Sequence, residues 1–265
     1  MGKLFAVVLA IITIVSAYFV IAHTWWMPVD VSLHGPAVDH QLEETMLGSG
    51  ILFVLSQLVL AAFVFMFGDS KGARKMKKFP GGATPLVVAA IVLVGIEILT
   101  LSFVGSKVWA AIYFTPPDPN SLNVDVQAEQ FAFYFRYAGP DGKFGDLHPD
   151  KIDDGSGNYF GLDPANDVAA RDDIVVGSLT LPVNRPVLLT LHAKDVGHSF
   201  YVRELRLQQD FVPGLVIPIH FIATQTGKFE LVCTQLCGLG HYNMKAYVEV
   251  VSQDQFDQWL KTQSQ

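Results

Sequence analysis

Three long runs without charged side chains come first along the chain, and short alternating runs follow them. Residues 4–22 hold nineteen uncharged positions in a row, residues 45–68 hold twenty-four, and residues 85–106 hold twenty-two broken only by Glu97. At about 1.5 Å of rise per residue, each run is long enough to cross a hydrocarbon layer about 30 Å thick as a helix. The pattern therefore predicts transmembrane helices at about 4–22, 46–68 and 85–106, within a membrane region spanning 1–114.

After Thr115 the apolar period shortens to two, as in half-buried strands. "TPPDPN" at 115–120 is rich in turn formers, and β-prone runs follow at 124–137, 174–181, 186–193, 200–207, 215–223, 229–233 and 244–251. About seven strands at this spacing predict an antiparallel sandwich or barrel over 115–252. "SQDQFDQWLKTQ" predicts a closing amphipathic helix over 253–265, with Ser252 and Gln255 spaced as a capping box. Residues 140–173 interrupt the strands with nine Asp against Lys143, Lys151 and Arg171. Their spacing forms no Asp-x-Asp-x-Asp-Gly calcium loop, so this acidic insertion reads as a solvated surface excursion.

Composition agrees with a membrane protein: 51% of residues are hydrophobic and only 16% are charged. Lys and Arg near membrane ends stay on the cytoplasmic side. Residues 69–78, "DSKGARKMKK", carry five basic side chains and one acid, whereas 23–44 carry Asp30, Asp39, Glu43 and Glu44 and no Lys or Arg. The chain thus reads in, out, in, out, with the C-terminal domain on the outer face. A rival reading makes the first run a secretory signal, since Lys3 and the apolar stretch imitate its first two regions and "VSA" at 15–17 resembles a cleavage site. Residues 115–265 hold nineteen acids and eleven Lys plus Arg, which attracts a basic partner and equally suits ordinary solubility. Internal repeats, a Gly-rich phosphate loop and a basic stripe for nucleic acid are absent from the sequence.

The chemistry concentrates in "LVCTQLCGLGHYNMKAYVEV" at 231–250, which contains the chain's only two cysteines. Outside the membrane a cysteine pair usually means a disulfide. Here Cys233 and Cys237 stand with His241 and Met244 within twelve residues, and thiolate, imidazole and thioether together form a ligand set that selects copper. A blue-copper site needs one Cys and two His, whereas two cysteines can bridge two metals that each require a terminal His. His198, in "KDVGHSFYVRELRLQQDFVPG", is the candidate second histidine, while His192 and His220 fall within strands and read as structural.

With "DVGHSF…LRLQQDFVPG", "CTQLCGLGHYNM" and the helices ahead of them, the chain is similar to subunit II of bacterial cytochrome c oxidases, in the haem–copper oxidase superfamily. The similarity runs from "SLHGPAVD" at 32–39 over nearly all that follows. It implies two or three N-terminal transmembrane helices and a cupredoxin-like Greek-key β-barrel bearing the binuclear copper centre CuA. Carried over residue by residue, it makes Cys233 and Cys237 the bridging thiolates and His198 and His241 the terminal ligands. Met244 becomes the weak ligand of one copper and the backbone carbonyl of Gln235 that of the other. The function implied is acceptance of single electrons from a c-type cytochrome or similar donor and their delivery to haem in subunit I. Oxygen is reduced there with proton pumping, so the implied partners are subunit I, other oxidase subunits and the lipid of a bacterial inner (plasma) membrane.

Three positions depart from the family's pattern. Many members have Glu where Gln235 stands, and use its carboxylate to hold magnesium; an amide is a poor ligand for so hard a cation, which weighs against magnesium here. Phe131 and Phe133 stand where tryptophans usually receive the donor's electron, and for Phe133 the preferred reading is a core aromatic of an alternating strand. The acid that many relatives carry near the start of the last membrane helix is missing from "KKFPGGATP", and Glu97, midway along that helix, is expected to face subunit I. Three other classes compete. Copper-delivery proteins share a C-x3-C pair but lack neighbours equivalent to His241 and Met244. Quinol-oxidase subunits have lost the copper ligands kept here, and nitrous-oxide reductase needs a large histidine-rich domain that this chain lacks.

Overall fold

A computed structural model describes residues 2–24, 26–68 and 83–264. The basic segment at 69–78 and most of "KKFPGGATP" lie outside the described residues. The chain forms two compact units, Met1–Met27 with Ala37–Trp109, and Pro28–Pro36 with Ala110–Gln265.

The first unit is helical: α1 (Gly2–Ile21), α2 (Gly35–Phe67) and α3 (Ala83–Tyr113), the latter two running at one end into the second unit. All three are long and apolar enough to cross a membrane. α2 begins well before its charge-free run, because Asp39, Glu43 and Glu44 end the apolar stretch without ending the helix. His40 and Glu44 pair across one helical turn at 3.3 Å.

The second unit is a sandwich of two five-stranded sheets. Its strands are β1 (Leu122–Glu129), β2 (Ala132–Tyr137), β3 (Ile174–Val176), β4 (Leu179–Pro182), β5 (Pro186–Ala193), β6 (His198–Val202), β7 (Leu207–Phe211), β8 (Ile217–Ile222), β9 (Gly227–Val232) and β10 (Lys245–Val251). The sheet orders are β3-β2-β1-β5-β8 and β4-β10-β9-β6-β7. Strands that leave one sheet for the other and return make this a cupredoxin-like Greek key. The sheets are mixed rather than wholly antiparallel, for β1 runs parallel to β5 and β4 to β10.

Three of the expected strands divide. Residues 124–137 fold back at Gln130 and Phe131 into the β1–β2 hairpin, with Glu129 opposite Ala132. Residues 174–181 change sheets between β3 and β4, and 200–207 are broken by a 3-10 turn at Arg203–Leu205 that leads into β7. Alternation marks which face is buried, as in β5, where Val187, Leu189 and Leu191 are inside. It carries no mark of where a strand reverses or changes sheet.

The sheets close on an apolar core that includes Val126, Phe135 and Leu189 from one side and Phe200, Val202 and Val248 from the other. Tyr137 adds a polar tie between them: its hydroxyl donates to Thr180 O at 2.9 Å and accepts from Thr180 N at 2.8 Å. The closing helix α4 (Gln253–Gln263) starts at the expected capping box on Ser252 and lays Phe256 and Trp259 against Tyr137.

The acidic insertion is more than a solvated excursion. Phe160 within it is buried, and its two ends are drawn onto the sheet by Arg136, whose side chain is fully buried. The guanidinium donates to Asp173 Oδ2 at 2.6 and 3.0 Å, to Asp125 Oδ2 at 3.2 Å and to Gly145 O. Removing one member of a buried ion pair leaves the other charge unpaired, at a cost of about 3–5 kcal/mol. Arg136→Met in the full-length chain should therefore lower the thermal midpoint of the β-domain, read by near-ultraviolet circular dichroism, by well over what a surface Arg171→Met change produces. Equal midpoints for the two variants would contradict this account of the insertion.

Candidate metal centre

The loop between β9 and β10 carries the cysteines, and its neck is closed by Cys233 N donating to Met244 O at 3.2 Å. Inside it, His241–Asn243 forms a 3-10 turn stabilised by His241 N donating to Gly238 O and Met244 N donating to His241 O. The turn reverses the chain so that residues three and four apart face the same centre. β6 neighbours β9 in the second sheet, with Tyr201 opposite Val232, and so delivers His198 at its first position.

The predicted side chains meet. Cys233 and Cys237 are free, buried, and 3.8 Å apart at sulfur, well beyond the roughly 2.05 Å of a disulfide. Cys237 Sγ lies 3.6 Å from His241 Nδ1 and 3.7 Å from Met244 Sδ. The Gln235 carbonyl turns inward, accepting from Cys233 Sγ at 3.1 Å, while the residue itself is exposed. One ligand atom each from His198, Cys233 and Cys237 fall within 4.8 Å of one another. Burial, aided by the neighbouring Cys233, pushes the Cys237 thiol up to about 11. The Cys237 thiol is thus costly to ionise without a cation, so a metal binding there must displace its proton.

An orphaned atom shows where an ion fits. His198 is wholly buried, and its Nδ1 has no hydrogen-bond partner among the described residues. Its Nε2 stands 2.8 Å from Asp195 Oδ1; a carboxylate accepts, so the proton sits on Nε2 and Nδ1 presents a bare lone pair. A buried acceptor without a partner is unfavourable unless a ligand completes it. Two thiols, two imidazole Nδ1 atoms, a thioether and a carbonyl suit a soft metal.

Phe131 and Phe133 part company. Phe133 is core, packed against Phe211 with ring centroids 6.0 Å apart. Phe131 is 39% exposed and lies over the cysteine loop, where its ring fills the space a Cβ on Gly240 would need. Gly238 adopts φ +131° beneath the same turn, and Gln130 Nε2 donates to Cys237 O there. Glu97 sits in α3 of the helical unit, its carboxylate against Gly48 of α2. His192 stands 3.9 Å from Asp125, and His220 meets Thr115 O at 2.7 Å; neither belongs to the His198, Cys233 and Cys237 group.

Sequence reasoning missed two participants. Asp195 bears on His198, and Gln130 bears on Cys237, yet a single Asp three residues before a His and a Gln in an aromatic run carry no distinctive signal. It also missed an apolar rim, since Leu236, Leu239 and Tyr242 on the loop are 77%, 97% and 90% exposed.

Fold and site together define a class: a cupredoxin-like domain with a sulfur-rich pocket whose His198, Cys233 and Cys237 could hold a metal ion, following three helices long and apolar enough to span a bilayer. The family model for the periplasmic domain of cytochrome c oxidase subunit II matches residues 164–251. The alternative cytochrome c oxidase subunit 2 of Bradyrhizobium diazoefficiens is 30% identical over 268 residues, covering 97% of this chain and 91% of that protein. A cytochrome c oxidase subunit 2 of Thermostichus vulcanus is 43% identical over 88 residues, 33% of this chain and 27% of its own length. Among solved structures, the periplasmic domain of subunit II of the Bradyrhizobium japonicum cytochrome oxidase aligns at 24% identity and a TM-score of 0.40, covering 56% of this chain and 95% of that one. The chain belongs to the cytochrome c oxidase subunit II family.

Proposed function

We propose that this chain is the electron-accepting subunit of a bacterial respiratory terminal oxidase and that its sulfur-rich pocket holds the binuclear copper centre CuA. Cys233 and Cys237 would hold it through their thiolates, His198 and His241 through Nδ1, and Met244 and the Gln235 carbonyl would complete it more weakly. The observation that carries the reading is the bare, buried Nδ1 of His198 beside two free thiols. A copper pair held in this way supplies one-electron exchange between a c-type cytochrome or similar donor and haem in subunit I, the site of oxygen reduction coupled to proton pumping.

The chain's own residues serve that task by holding still. Ligands anchored in a closed loop and at a strand's first position keep their places when charge changes, which keeps the cost of electron transfer low. The exposed Phe131 and the rim of Leu236, Leu239 and Tyr242 offer an apolar face for the donor or subunit I, and the domain's acidic balance draws a basic donor toward it. Magnesium has weak support, because Gln235 supplies an amide where a carboxylate is needed. Three helices long and apolar enough to span a bilayer support a plasma-membrane protein with the sandwich on the outer face, where soluble donors move.

Electron paramagnetic resonance of the purified full-length chain loaded with copper tests the reading. One electron shared equally by two copper nuclei gives a seven-line pattern, and that is the expected spectrum; a four-line mononuclear pattern would sink the binuclear assignment. For Glu97, an acid within a membrane helix, we propose a proton-handling role in the assembled oxidase. Glu97→Gln should slow proton uptake by the complex while leaving copper loading intact, and unchanged uptake would reduce Glu97 to a structural part.

A further inference from the structure

β1 and β5 run parallel as far as Ala128 and Ala193, and the pairing continues one step as Lys194 N donates to Ala128 O at 3.0 Å. This sets the next residue, Asp195, beside the β1–β2 turn on one side and the start of β6 on the other. Its carboxylate serves both. Oδ2 accepts from the backbone N–H of Gln130 at 2.8 Å, and Oδ1 meets His198 Nε2 at 2.8 Å and accepts from Val196 N at 2.7 Å. Gln130 then reaches onward with its side chain to Cys237 O, and the next residue, Phe131, covers Gly238 and Gly240 of the cysteine loop. A chain of hydrogen bonds thus runs from the His198 imidazole through Asp195 and the exposed turn to the cysteine loop.

We propose that Asp195 is a positioning residue that fixes the His198 imidazole and the Gln130–Phe131 turn with one carboxylate, so that the metal ligands and the aromatic cover above them form one rigid body. On the histidine side it selects the tautomer with Nδ1 bare and sets the ring's rotation. A carboxylate behind a ligating imidazole also raises its basicity, and losing such a partner typically costs roughly 10–100-fold in metal affinity. On the turn side it satisfies a backbone N–H in a two-residue reversal that contains neither Gly nor Pro. The aromatic ring nearest the loop is thereby held in register with the ligands beneath it. The histidine arm rests on the copper reading above, whereas the turn arm does not depend on any metal.

Two variants of the full-length chain separate the arms. Asp195→Ala removes both, while Asp195→Asn keeps an oxygen for His198 and turns an N–H toward Gln130. On the metal-free chain, amide hydrogen exchange at residues 130–132 should quicken at least roughly tenfold in both variants, the factor implied by losing one hydrogen bond to a charged acceptor. Exchange in β5 and β8 should stay as in the wild type, which confirms folding. After copper loading, Asp195→Ala should bind copper roughly 10–100-fold more weakly, with altered nitrogen hyperfine couplings from its histidines. Asp195→Asn should keep wild-type couplings and an affinity within about threefold of wild type, since its oxygen still accepts from His198. Unchanged exchange at 130–132 in both variants, or equal loss of copper affinity in Asn and Ala with wild-type couplings, would overturn the proposal. A wild-type chain that binds no copper would defeat the copper reading and leave the exchange result to judge the turn arm alone.

Discussion

Two cysteine sulfurs buried 3.8 Å apart and not joined are the constraint around which the β-domain is arranged. Left alone, such a pair either oxidises or stays protonated, and burial does raise the Cys237 thiol to about 11. Keeping it open for a metal requires a loop that fixes both sulfurs, side chains that supply the remaining ligands, and cover from bulk water. The neck bond from Cys233 N to Met244 O, the 3-10 turn at His241–Asn243 and the β6 delivery of His198 meet the first two needs. The Gln130–Phe131 turn meets the third.

The sandwich explains why His198 and Cys233, thirty-five residues apart in sequence, arrive together. β6 and β9 are neighbours in one sheet, so the start of one and the end of the other share an edge of the barrel. The other sheet contributes the hairpin that reaches over the loop, and the two sheets are tied through the apolar core and through Tyr137 to Thr180, while the Arg136 ion pairs hold the acidic insertion to the first sheet. The buried network at Arg136 resembles the Asp195 arrangement in kind: one charged group satisfies several segments at once and fixes their spacing.

Much of this was legible beforehand. Charge-free runs placed the helices because apolar length is what a bilayer selects, and the ligand spacing at Cys233, Cys237, His241 and Met244 carried its chemistry in residue types alone. The Ser252 capping box was also readable. What escaped was whatever depends on contacts distant in sequence: the hairpin reversal at Gln130, the change of sheet between β3 and β4, the parallel pairs, and the anchoring of the insertion by Arg136. Local alternation says which face is buried, not which strand lies alongside. The same limit hid Asp195, whose importance lies in two partners on different elements, and the exposure of Leu239, which follows an otherwise ordinary apolar pattern.

The central claim is that this pocket is built for two metal ions bridged by two thiolates. Copper per chain, measured by elemental analysis on the purified full-length protein after loading and removal of loosely bound metal, tests it most directly. The account predicts two copper ions per chain, and a loss of that stoichiometry when either Cys233 or Cys237 is replaced by Ser. A single copper per chain in the wild type, or a stoichiometry of two that survives Cys237→Ser, would contradict it.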